Sequence, residues 1–221
     1  MSLKEFLSKV LRKAGLPLLA VSLLFHFLDE RLVELTQAEL FSQEGASLAL
    51  WIYGGLSMIV SMIGPLILLV LILAAISDRE RFNFVKNNFG YLLKEQMRGF
   101  GKVFLWGLLL VIPGFWMFLQ ILFLPFVVGL DPAYQRGEID ALDSSRAIFQ
   151  KNRGKTLGLF VLFGLFIPMM MTYFDEYRDA QEHLFTWGLL VMADLAIFLL
   201  FQFVLLKIWA RTVPTPLPQS S

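Results

Sequence analysis

Apolar residues fall in five long runs, at about 14–35, 46–76, 103–130, 156–174 and 184–209, with charged positions gathered between them. A membrane helix needs about 20 apolar residues to cross a hydrocarbon core of roughly 30 Å, and several of these runs approach or exceed that length. The pattern predicts an all-α integral membrane protein. Three amphipathic stretches stand beside the runs. SLKEFLSKVLRK sets Leu3, Phe6, Leu7, Val10 and Leu11 on one helical face, and RERFNFVKNNFGYLLKEQMR (79–98) does the same with Phe82, Val85, Phe89, Leu92 and Leu93. The third opens at Asp131-Pro132 and runs to about Asn152, with Gly154 as its stop. Apolar faces at helical spacing among basic residues predict helices lying in the headgroup layer.

Charge decides how the third run crosses. If 103–130 is one kinked span, the basic loop 131–155 faces outward and the acidic loop 175–183 faces inward, against the excess of Lys and Arg expected on the cytoplasmic side. If it is a helical hairpin turning at Pro113-Gly114, six membrane segments leave both termini cytoplasmic. The inside then holds 17 of the 19 Lys and Arg, leaving only Arg31 and Arg178 outside, and nine of the 18 acidic residues sit in the two outer loops. The hairpin satisfies the charge rule. Its first arm, Val103 to Ile112, is only roughly 15 Å long as a helix, so the turn is re-entrant unless Lys102 snorkels and the bilayer thins locally.

Composition agrees: the 221 residues are 57% hydrophobic and 17% charged, with a mean hydropathy of +0.67. No polar connection exceeds about 25 residues, too few for an independent soluble core. Residues 1–211 are expected to form a single helical membrane domain, followed by a Pro-rich flexible cytoplasmic tail at 212–221. The N-terminal run lacks a small-x-small cleavage pattern and reads as an uncleaved first span. The absence of cysteine excludes thiolate chemistry and disulfides.

Asp194, about ten residues from either end of the last run, is the leading candidate for chemistry. A carboxylate at the bilayer centre costs about 3 kcal/mol on insertion scales, so it reads either as a protonated or hydrogen-bonded packing residue or as a proton, ion or partner site. Ser57 and Ser61 lie at comparable depth on the second run, Gln120 and His26 not far away, and all four are candidate polar partners. Gly54, Ser57, Ser61 and Gly64 recur at spacing 3, 4, 3, a stripe of small residues suited to helix packing within the chain or with a partner. Pro17, Pro65, Pro113, Pro125 and Pro168 interrupt or border every apolar run but the last; such breaks kink helices and can build transporter sites. Asp179, Glu182 and His183 share a helical face as a weak cation site might, although an acidic solvated loop accounts for them better. No cofactor or metal motif occurs. Lys4, Lys9, Arg12, Lys13, Lys86, Lys94 and Arg98 track the cytoplasmic headgroup layer, which points to anionic lipids and away from nucleic acid.

Pro113-Gly114, then LPFVVGLDPA, then ALDSSRAIFQKNRG resembles the polytopic membrane domains fused to some bacterial glycerophosphodiester phosphodiesterases, and their stand-alone relatives. The shared features are the Pro-Gly break, an acidic residue after the apolar arm, and Ala141, Leu142, Ser145 and Asn152 at matching spacing. The family usually has Gly where this chain has Lys151. The resemblance covers about residues 103–160 and implies a helical membrane architecture without catalytic residues.

With no catalytic set in view, the expectation is a non-enzymatic membrane subunit that packs against, assembles or regulates another membrane protein or a second copy of itself. The alternative is a transporter or lipid-handling permease using Asp194 and the broken helices as a polar path. The charge asymmetry fits a bacterial cytoplasmic membrane.

Overall fold

The computed structural model describes residues 1–41, 47–77, 81–170 and 184–213, and these are all-helical. We number the elements α1 (Leu3–Leu40), α2 (Leu48–Ile76), α3 (Arg81–Leu109), α4 (Val111–Ile121), α5 (Leu124–Leu130), α6 (Pro132–Gln135), α7 (Ala141–Lys151), α8 (Arg153–Phe160) and α9 (Leu184–Thr212). Past α8 the helix widens into a π-helical stretch, Val161–Phe166, and continues to residue 170. Five helical stretches are long and apolar enough to cross a membrane: Leu3–Leu40, Leu48–Ile76, Val111–Leu130, Arg153–Met170 and Trp187–Thr212.

The first amphipathic stretch is not a separate surface helix. It is the opening of α1, 38 residues long, started by a capping box in which Ser2 Oγ accepts from the Glu5 amide and Glu5 accepts from the Ser2 amide. Pro17 removes one intrahelical donor without ending the helix. Part of the apolar face expected to meet lipid packs inward: Phe6 and Val10 are buried, with Ala14 and Leu18 farther along, and the Phe6 ring lies 5.2 Å from that of Phe203 on α9, while Leu3 and Leu11 stay exposed. Lys9 Nζ reaches the carbonyl of Ile76 at 3.4 Å, where the end of α2 presents acceptors to a cation. The second stretch likewise fuses with the following apolar arm into the single helix α3.

α3 and α4 form an antiparallel hairpin. The reversal comes at Leu110, the one extended residue between them (φ −157°, ψ 132°), three residues before the expected Pro113. Pro113 and Gly114 belong to the start of α4, where a missing amide costs little because the first amides of a helix have no intrahelical acceptor. Gly114 acts by being small. A Cβ there would stand 2.6 Å from the Cα of Gly107, so the two glycines allow the arms to touch backbone to backbone. The arm 111–130 then breaks again before Pro125. The expected third amphipathic helix is split into α6 and α7 by a turn at Gly137 (φ 74°), and α7 restarts where Asp140 accepts from the Leu142 and Asp143 amides.

Packing is unequal along the bundle. On α2 every buried residue falls between Gly64 and Ile76, and the buried residues of α1 stop at Leu18. This end, which carries most of the basic residues, also buries Phe84, Leu92, Phe126, Ile148, Phe149 and Trp209. Toward the other end apolar side chains are left bare on separate hairpins, among them Trp51, Ile52, Leu108 and Val111.

Candidate functional site

Ser57 and Ser61 do not serve Asp194. Both hydroxyls donate to Asp29 Oδ1, at 3.0 and 3.1 Å, tying α2 to α1. The small-residue stripe is used for the same contact: a Cβ on Gly64 would lie 2.9 Å from the Phe25 ring, whereas the space beside Gly54 is open. His26 stands 5.7 Å from the ring of Trp187, whose indole donates to Glu30 at 2.8 Å, so His26 belongs to the contact between α1 and the start of α9. Gln120 is buried and acts through its main chain, its carbonyl accepting from Ser145 Oγ at 2.5 Å. Nothing in the sequence singles out Asp29, because it borders the apolar run and reads as part of a solvated loop.

Ser145 explains why the break between α4 and α5 is tolerated, since it supplies a donor where the helical ladder stops. The residues that carry the family resemblance are packing residues of this kind. Ala141, Leu142 and Ser145 are buried against the break, and Asn152 donates to the Ile148 carbonyl at 3.0 Å and to Thr212 at 2.9 Å.

The break also forms one wall of a cavity of about 410 Å³ between α2, α3, α4, α5 and α9. Pro65 and Pro125 both line it. Each lacks the amide that would bond four residues back, so the carbonyls of Ser61 and Ile121, two other lining residues, lose their usual helical donors. The rest of the wall is apolar, built from methionine, leucine and phenylalanine, with two carboxamides set into it. Gln202 is buried, and Gln96 Oε1 is enclosed without a hydrogen-bond partner. Asp194 is exposed on α9, at positions i, i+4, i+7 and i+11 with the lining residues Phe198, Phe201 and Leu205. Helical geometry therefore sets it on the cavity side of α9, about 6 Å along the axis from Phe198. Nothing in the apolar pattern distinguishes Gln96 or Gln202 beforehand, because their role follows from two proline breaks facing one another.

A second, polar constellation joins α3 to the α6–α7 turn. Arg98 donates to Glu95 at 3.0 Å and pairs with Asp140. Burial pushes the Asp140 carboxyl up, but the Arg98 bond and the α7 amides outweigh it and hold it below its ordinary value; the Asp140 bond raises Arg98 in turn. Burial, then the Glu95 carboxylate, raises the Tyr134 phenol. Beside this network lies an open groove of about 840 Å³ bordered by Asn83, Asn87, Asn88, Tyr91 and Arg136. Arg136 is bidentate with Glu138 at 2.5 and 2.9 Å.

Of the basic residues expected at headgroups, Lys9 and Arg98 are engaged within the bundle, while Lys4, Arg12, Lys86 and Lys94 are exposed and Lys13 is half-buried. Among the described residues no three His, Asp or Glu side chains converge as metal ligands. Asp179, Glu182 and His183, the acidic loop around them and the tail beyond Val213 lie outside the described residues. Set against known protein families, curated proteins and solved structures, the chain has no match.

Proposed function

We propose that the protein is a non-enzymatic membrane protein that takes an amphipathic molecule into the cavity between its broken helices, as a lipid-handling permease does. One observation carries this reading: an apolar cavity of about 410 Å³, within the range of small-molecule sites, is bounded by two prolines, two carboxamides and a helix face that also bears Asp194. The chain is held to cross the membrane in six segments with both termini cytoplasmic. The distribution of Lys and Arg and the antiparallel α3–α4 hairpin support that topology.

Reconstitution in vesicles tests the function. The protein should accelerate movement of a fluorescent single-chain amphiphile between leaflets, and Leu122→Trp, which fills the cavity from its wall, should remove most of that acceleration while the bundle still melts cooperatively. Equal rates with protein, variant and empty vesicles would end this reading.

The subunit reading retains one observation of its own. Glu30, Arg31 and Glu34 are exposed on α1 beyond Asp29, close to the apolar run, where a partner chain could cover them. The small-residue stripe no longer favours it, because α1 of the same chain occupies most of that stripe.

A further inference from the structure

Acceptors without donors mark this cavity, beside the N–H groups that the Gln96 and Gln202 carboxamides carry. Gln96 Oε1 is an acceptor enclosed in the wall without a donor, and the carbonyls of Ser61 and Ile121 face Pro65 and Pro125, which have no amide to offer. A buried acceptor without a donor is costly, and few native groups are left so. Among the described residues the lining includes no Lys, Arg, Asp or Glu, so none of them offsets the desolvation of an ionised headgroup. The apolar remainder matches an alkyl chain.

We propose that the occupant is a long-chain lipid with an uncharged hydroxyl head, and that the hydroxyl donates to Gln96. This rests on the lipid-handling reading above and specifies its substrate class. A hydroxyl suits the site in either orientation of the carboxamide, since it both donates and accepts. A phosphate or carboxylate head finds no Lys or Arg among the described lining residues to balance its charge.

The chain has no cysteine, so Met58→Cys, an exposed residue at the cavity edge, can carry a single environment-sensitive fluorophore. Titration of the labelled protein in nanodiscs compares a long-chain alcohol with its methyl ether, which keeps the oxygen and chain but loses the donor. The alcohol should bind roughly tenfold more tightly. Gln96→Leu should abolish that preference, so that alcohol and ether bind with equal affinity. Gln96→Met serves as the second variant if Gln96→Leu does not fold. Equal affinity of alcohol and ether for the unaltered protein overturns the hydroxyl assignment and leaves the cavity reading standing. Failure of both to change the fluorescence overturns the cavity reading as well.

Discussion

At the residue scale, glycine and serine positions separate the contacts the fold requires from those it leaves open. A methyl group at Gly114 meets the Gly107 backbone at 2.6 Å, whereas one at Gly64 meets a side chain, Phe25, at 2.9 Å. Gly114→Ala should therefore destabilise the protein more than Gly64→Ala, with Gly54→Ala close to neutral; thermal melts in one detergent give the order. Asp140 offers a pH test. Its folded pKa is depressed, so its contribution is present above the unfolded value of about 4 and is lost as pH falls through the lower folded value. Stability should decline in that acidic window less steeply in Asp140→Asn. The half-exposed Arg98 partner makes the effect modest.

At the scale of elements, the apolar runs are legible because lipid demands length and an internally satisfied backbone, and both are visible in the chain. The reversal between α3 and α4 falls within the run for which charge counting predicts a hairpin. The sequence points to a turn at Pro113-Gly114, three residues too late, because proline and glycine are common turn formers. Here proline sits in a first helical turn and glycine admits a neighbouring backbone. The amphipathic stretches mislead for a related reason: apolar spacing shows that a face is covered without saying what covers it, and Phe6 and Val10 meet the bundle itself. The α4–α5 break depends on a residue outside it. Ser145→Ala removes the buried donor to the Gln120 carbonyl and should cost about 1–3 kcal/mol, read as a lowered melting temperature. Ser145→Thr, which keeps the hydroxyl in a crowded site, should cost less than Ser145→Ala if the bond dominates.

At the scale of the whole molecule, the bundle is tightly packed at its basic end and open toward the other, with the cavity between facing proline breaks. In lipid such an arrangement is held by packing and internal hydrogen bonds, since acyl chains solvate apolar side chains as well as a protein core does. The individual groups of this site are mostly visible in the sequence, but their pairing is not: Ser57 and Ser61 serve Asp29, and Asp194 shares a face with the cavity lining. Single cysteines at Gln150, exposed on α7, and at Gln181 test the six-segment topology. Impermeant reagents should label only position 181 from outside, and outside labelling of position 150 would reverse the assignment. The most direct test of cavity occupancy is native mass measurement of the protein released from lipid nanodiscs, beside Leu122→Trp. The account predicts that the protein retains one lipid-sized adduct per chain, absent from the variant. Equal adduct retention by both proteins would contradict it.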